Sequence, residues 1–316
     1  MTLLAEQLDS VLPWHISEFG IDKFVWPTLE NQPAIKVGVV DTGVAPHPEL
    51  DGKIAASEDF TGNLNGPRDG NGHGTHVAGI IAAKTFGVNK HAQLVIAKAL
   101  NDNGSGSDRN IARGLQYCFD QGCRVINLSA GSSVKSPMIV GVMQDLAQQG
   151  ALFAVAAGND GSEMGSPADE PCVFGVTALT RQRKIADYSN RGEAADVAAP
   201  GSEIRSLGRG GAYVIMSGTS MASPFVAGYI SAYCVKMGKV PTFNDVMKWL
   251  TNNSIDLGKP GRDWEYGLGL PNPETGFASP TMPTKPPTAP VGTVPKSVLI
   301  TMSDGQQLVF TNPKAV

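Results

Sequence analysis

Ser220 lies in Ser217-Gly218-Thr219-Ser220-Met221-Ala222-Ser223-Pro224, a polar, glycine-containing turn that runs into a long apolar stretch over 225–237. That stretch reads as a buried helix, and Pro224 fits near its first turn, where a missing N–H costs least. A hydroxyl at a helix N-terminus meets unpaired backbone N–H groups and the positive end of the helix dipole. Negative charge developing beside it is therefore stabilised. A lone serine in such a place is ordinarily an N-cap. The same chain, however, carries His73 and His76 at the opening of a small-residue helix, Asp41 at the close of an apolar run, and Asn159 after Ala156-Ala157-Gly158. Singly these read as a helix-end histidine, a packed second-turn histidine, a turn carboxylate and a turn amide. Acyl transfer needs a nucleophile, a base, a carboxylate to orient the base and a donor for the oxyanion. Ser220, His73, Asp41 and Asn159 are one of each.

These residues have to be carried to one place by regular structure. Ala34-Ile35-Lys36-Val37-Gly38-Val39-Val40 is the near-continuous apolar run of a strand buried on both faces, and it stops at Asp41-Thr42-Gly43. Further strand signals fall at 94–100, 125–128, 152–157 and 173–178, with helical patterns at 73–83, 108–121, 138–149 and 243–253. Strands alternating with helices predict a doubly wound, mostly parallel sheet in a three-layer α/β/α arrangement. Ligands of such sheets bind at the carboxyl ends of the strands, where Asp41 stands.

The rest of the chain divides by composition. Residues 1–30 are expected as an extension packed on the domain, with Trp14, Phe19, Phe24 and Trp26 on its surface, and 31–277 as the catalytic domain. Residues 278–295 form a Pro/Thr-rich linker of semi-rigid, extended character. In 296–316, Ser303-Asp304-Gly305-Gln306 between two β-prone runs signals a hairpin. A lone hairpin is marginal in water, so this tail is expected to dock on the catalytic domain or on another chain.

With 41% hydrophobic residues in 316 and a net charge of -4, the chain has material for a large core and no basic stripe for nucleic acid. No apolar run approaches the roughly 18 residues of a membrane span, and residues 1–13 lack the pattern of a secretory signal. Cys118, Cys123, Cys172 and Cys234 show no CxxC pairing. They read as buried free thiols, with a Cys118–Cys123 bridge as the alternative, and point to a cytoplasmic chain. The other reading is a secreted protein in its mature form.

Asp41-Thr42-Gly43, His73-Gly74-Thr75-His76-Val77-Ala78-Gly79 and Gly218-Thr219-Ser220-Met221-Ala222-Ser223-Pro224 resemble the three signature blocks of the subtilisin-like serine proteases, in that family's order. Ala156-Ala157-Gly158-Asn159 and Asp196-Val197-Ala198-Ala199-Pro200-Gly201 resemble two further blocks. The likeness runs from about residue 14 to residue 277. It implies a serine endopeptidase of broad preference, with Asp41, His73 and Ser220 as the triad and Asn159 with the Ser220 N–H as the oxyanion hole. It implies no cofactor for catalysis. Protein or peptide substrates would lie as an added strand between Gly104-Ser105-Gly106 and Ser129-Ala130-Gly131. The primary pocket would be walled by Ser129-Ala130-Gly131 and Ala156-Ala157-Gly158, with Gly165 as its floor, and its small, uncharged walls imply a roomy, apolar site. Asp108 falls at the P4 pocket and Asp69 near the P2 side. Ser166-Pro167 matches a cis peptide position.

The likeness has limits. Between Ala83 and Phe86 only Lys84-Thr85 remain, so the loop that holds a tight structural calcium in relatives is missing. Asp196 matches a residue of a weaker cation site. About 40 residues precede Asp41, too few for the large folding prodomain of secreted relatives, and residues 1–11 are expected to cover the cleft until trimmed. An aspartic protease is rejected for want of a second Asp-Thr/Ser-Gly, and a His73/His76 zinc site for want of a third ligand. A peptide ligase on the same fold and a non-catalytic binding scaffold are the remaining alternatives.

Overall fold

The computed structural model describes residues 12–278, 297–301 and 307–311. The chain divides into two compact units at Ala278. In the first unit seven strands share one sheet: β1 (Lys36–Asp41), β2 (Ile54–Asp59), β3 (Gln93–Lys98), β4 (Val125–Leu128), β5 (Leu152–Ala156), β6 (Phe174–Leu179) and β7 (Ala195–Pro200). Their order is β2-β3-β1-β4-β5-β6-β7 and every pairing is parallel. The order reverses at β1, with β3 on one side and β4 on the other, which puts the end of β1 at the switch point where such sheets hold ligands.

Apart from β2, which is half exposed at the sheet edge, the strands are buried on both faces, so successive side chains feed two cores. Val37 and Val39 of β1 join one core with α1 (His73–Ala82) and α4 (Thr219–Met237), while Val40 joins the other with α2 (Asp108–Asp120) and α3 (Pro137–Gln148). That is the α/β/α layering expected from the sequence. Helix α5 (Phe243–Asn252) is held at its start by a capping box, Thr242 with Asp245. Trp249 from α5 stacks on Tyr233 of α4, with 3.8 Å between ring centroids.

Helix α4 starts at Thr219, six residues before the apolar stretch that announced it. Pro224 lies inside the helix, so the carbonyl of Ser220, four residues earlier, has no N–H to accept. The Ser129 hydroxyl donates to that carbonyl at 3.0 Å instead. The deficit is thus filled from β4's end, and the helix continues through the proline.

The start of the chain also differs from expectation. Ile16, Phe19, Ile21, Val25 and Leu29 are core residues, and Phe19 meets Phe225 of α4. Trp14 and Trp26 are tied through their indole N–H groups to the carbonyls of Glu203 and Gly87. This stretch belongs to the folded body. The four cysteines are all free. Burial pushes the Cys123 and Cys234 thiols up to about 12, and no Cys118–Cys123 bridge forms. No helix among the described residues is long and apolar enough to cross a membrane.

In the second unit, strands Ser297–Thr301 and Gln307–Thr311 pair antiparallel, with Ser297 opposite Thr311. The Asp304-Gly305 turn, the Pro/Thr segment and residues 1–11 lie outside the described residues.

Two histidines are sealed inside the body. His15 has no exposure and neither ring nitrogen has a partner among the described residues. Burial, with His76 and Arg205 nearby, pushes it down to about 3. His76 bonds the Ile204 carbonyl at 3.0 Å, and burial pushes it to about 4. Both titrate near 6.5 in the unfolded chain, so the unfolded state binds more protons than the folded one below that pH. Stability is then full above pH 6.5 and falls as pH drops towards 4 and then 3. Urea unfolding between pH 7 and 4 should show this decline, and His15→Phe should remove up to about one proton, or 1.4 kcal/mol per pH unit, from its slope.

Candidate active site

Asp41 is the last residue of β1 and has no exposure. Its Oδ1 accepts from the Thr42 N–H at 2.7 Å and meets His73 Nδ1 at 2.8 Å. A carboxylate oxygen only accepts, so Nδ1 carries the proton and Nε2 keeps its lone pair. His73 opens α1, and the turn leading to it is wrapped around a second buried carboxylate. Asp69 accepts the N–H groups of Asn71, Gly72 and Thr75 and the hydroxyls of Thr42 and Thr75. Thr42 closes the loop by accepting from the Gly74 N–H at 2.9 Å. The approach is so close that a Cβ on Gly74 would stand 2.2 Å from the Gly43 carbonyl oxygen, so no larger residue fits without moving α1.

The charge state of His73 follows from this setting. Burial alone would lower its pKa, but the charge of Asp41, the hydrogen bond to it and the charge of Asp69 outweigh burial and raise it above the ordinary value. His76 faces away from Asp41 to the Ile204 carbonyl.

Ser220 is the second residue of α4, half-buried, with its backbone N–H in the first helical turn, where no carbonyl of the helix can take it. Its hydroxyl donates to the Ser129 carbonyl at 3.3 Å, and no Ser220–His73 hydrogen bond is present among the described residues. Catalytic hydrogen bonds are often long or open in the free enzyme and tighten around substrate. The Ser129 segment is itself pinned: Ser223 donates to Asn127 Oδ1 at 2.7 Å, and Asn127 Nδ2 donates to Ser129 Oγ at 2.9 Å. Sequence reading missed Asn127, because nothing local distinguishes it from any strand asparagine.

Asn159 follows β5. Its Oδ1 accepts from the N–H and the hydroxyl of Thr219, at 2.8 and 3.0 Å. The amide is thereby oriented, and its Nδ2 has no partner among the described residues. It is left beside Ser220 as a donor.

Ser220 and Asn159 share a cavity of about 360 Å³ with Ser129, Ala130, Gly131, Ala156, Ala157, Gly158 and Gly165, the walls and floor named from the sequence. Asp160 and Glu163 also line it. Sequence reading treated these walls as uncharged; the signal was their place directly after Gly158-Asn159, but not where their side chains would turn. An adjoining cavity of about 330 Å³ takes in Gly104, Ser105, Gly106 and Asp108, and shares Ala130 and Gly131 with the first. Asp108 accepts from the Ser136 hydroxyl at 2.6 Å. Asp69, expected near the P2 side, is 2% exposed and occupied by the turn. Ser166-Pro167 is cis.

At the two places where relatives would hold a cation, the residues are engaged otherwise. Lys84 reaches the Pro48 carbonyl and Thr85 bonds the buried Glu49. Asp196, named as a metal ligand, accepts from Arg262 on Oδ1 at 2.9 Å and from the Gly175 N–H on Oδ2 at 3.0 Å. Burial still pushes its carboxyl up to about 6 against those donors. Among the described residues no group of three or more His, Cys, Asp or Glu is placed to hold a metal ion.

The sequence profile of the Subtilase family matches residues 32–269. The chain is 38% identical over 224 residues to Thermophilic serine proteinase of Bacillus sp. (strain AK1), covering 68% of this chain and 56% of that protein. It is 36% identical over 275 residues to Subtilisin Savinase of Lederbergia lenta, covering 83% and 97%. A third relative, 31% identical over 271 residues, is Minor extracellular protease Epr of Bacillus subtilis (strain 168), of which the match spans 41% against 83% of this chain. These relatives correct the cytoplasmic expectation drawn from the cysteines: the subtilisins and alkaline proteases that match point to secretion. They do not favour a ligase or a scaffold over hydrolysis. With the profile spanning three quarters of its length, the chain belongs to the subtilase family of serine endopeptidases.

Proposed function

We propose that Asp41, His73 and Ser220 are the catalytic triad, and that Asn159 Nδ2 and the Ser220 N–H form the oxyanion hole. The observation that carries this reading is the 2.8 Å Asp41–His73 bond, which leaves Nε2 as the basic nitrogen. A substrate lies extended between Gly104-Ser105-Gly106 and Ser129-Ala130-Gly131, adding a strand by backbone hydrogen bonds. The Ser220 hydroxyl turns from the Ser129 carbonyl to His73, gives up its proton to Nε2 and attacks the scissile carbonyl. The oxyanion that forms takes the Asn159 amide and the Ser220 N–H, both already in place. His73 then protonates the leaving amine, and water, activated by the same nitrogen, hydrolyses the acyl-enzyme. No metal enters any of these steps. Residues 31–277 are the catalytic unit in this reading, and the 278–316 tail is an appendage to it.

Three measurements test the roles. A fluorophosphonate probe should label the full chain at Ser220, and Ser220→Ala should abolish both labelling and peptide hydrolysis; labelling that survives the substitution would refute the assignment. Asn159→Ala should lower kcat about 100- to 1000-fold with KM little changed, the size of effect known for this donor in subtilisin itself. The base must be neutral to act, and its pKa is raised, so kcat/KM should fall on the acid side with a midpoint above 6.5. Asp69→Asn removes one of the charges that raise it, so the midpoint should move to lower pH.

A further inference from the structure

The cavity beside Ser220 contains two carboxylates and no cationic side chain in its lining. Both residues are exposed, and neither carboxylate has a hydrogen-bond or ion-pair partner among the described residues. The nearest basic residues in sequence to the lining are committed elsewhere. Lys135, two residues past Ser133, is paired with Glu170, and Arg191, next to Asn190, meets Glu265 at 2.8 Å. The walls are glycine, alanine and serine, so no large apolar side chain fills the space or competes for its occupant.

The carboxylates also stand on a fixed backbone. Asn190 Oδ1 accepts the Asp160 N–H at 2.8 Å and the Ser162 N–H at 3.1 Å. On the far side of Glu163, the Met164 N–H donates to the Arg191 carbonyl at 2.9 Å, and the Arg191 N–H returns to the Ser162 carbonyl at 3.0 Å. The segment carrying the two charges is therefore held on both flanks of Glu163. A site of this kind has its charge placed before the ligand arrives, and the ligand that answers it is a cation on a long, slender stem.

We propose that Glu163 and Asp160 make this cavity a receptor for a basic P1 side chain, lysine or arginine, so that the enzyme cleaves after basic residues in preference to large apolar ones. The proposal rests on the endopeptidase reading above and specifies its substrate class. The aliphatic stem of the P1 residue lies along Ala156, Ala157 and Gly131, and its charged head reaches the two carboxylates at the mouth. Asp108 in the neighbouring cavity, expected at the P4 position, adds charge of the same sign three residues away along the substrate.

The test uses the full chain and tetrapeptide p-nitroanilides that differ only at P1: lysine, arginine, phenylalanine and glutamate. The wild-type order of kcat/KM should be lysine and arginine above phenylalanine, with glutamate lowest. Glu163→Gln and Asp160→Asn should each reduce the lysine-to-phenylalanine ratio about three- to tenfold, within the range for partly exposed charge pairs. Glu163→Lys should raise the glutamate substrate relative to lysine. The lysine advantage should shrink between low and high salt, since screening acts on the charge and not on the shape of the pocket. A phenylalanine preference in the wild type, or a lysine-to-phenylalanine ratio that neither neutral variant changes, overturns the proposal while leaving the protease intact. Absence of turnover on all four substrates together with absence of fluorophosphonate labelling overturns the endopeptidase reading and this proposal with it.

Discussion

A buried carboxylate is tolerated only where donors are brought to it, and the carboxyl edge of this sheet holds two of them, joined through Thr42 to a buried lysine. Asp41 takes the Thr42 N–H and the His73 ring, Asp69 takes five donors, and Lys98, with no exposure, gives its ammonium to the Thr42 carbonyl and to Asp102 at 2.7 Å each. Thr42 is common to all three. Its N–H, carbonyl and hydroxyl touch Asp41, Lys98 and Asp69 in turn. The turn after β1 and the turn before α1 are thus one polar assembly, and the imidazole sits at its rim. Asp41 Oδ2 alone is left without a partner among the described residues; the other bonds fix a single local structure, because a slip would strand further charge in a medium that cannot solvate it.

Much of this was legible in the sequence, for reasons that differ from residue to residue. Strands buried on both faces show themselves as continuous Val/Ile/Ala runs, so β1, β4, β5 and β6 could be placed within a residue or two. Asp41, Asn159 and His73 follow because each ends or opens such a run. What escaped were features decided by distant chain. Pro224 marks a helix start on local grounds, yet the helix begins at Thr219 because Ser129, about 90 positions earlier, supplies the hydrogen bond that the proline takes away. Ile16, Ile21 and Leu29 looked like an extension because their stretch is short and irregular; they are core because α4 offers them an apolar face. The backbone course that carries Asp160 and Glu163 past the cavity is held by Asn190 and Arg191, which no local pattern announces.

The cysteines show a different kind of failure. Cys118, Cys123 and Cys234 are each at most 2% exposed, inside apolar clusters, where a thiol serves as a small hydrophobic group. Cys118 packs so tightly that a Cβ on Gly38 of β1 would come within 2.8 Å of its own Cβ. Burial holds these thiols protonated. Their burial follows from packing in the core and needs no particular redox compartment to explain it. Unpatterned cysteines are therefore no guide to location in a fold whose core can absorb them.

Ser129 links the site's architecture to its use. Its hydroxyl fills the carbonyl that Pro224 leaves open, its carbonyl receives the Ser220 hydroxyl, and it lines the cavity beside Ser220, where the proposed mechanism lays the substrate. In the mechanism proposed above, the Ser220 hydroxyl exchanges this 3.3 Å bond for one to His73 Nε2. The Asn159 amide is held by Thr219 and the imidazole by Asp41, so the partners of that exchange are oriented by bonds that do not involve the hydroxyl itself.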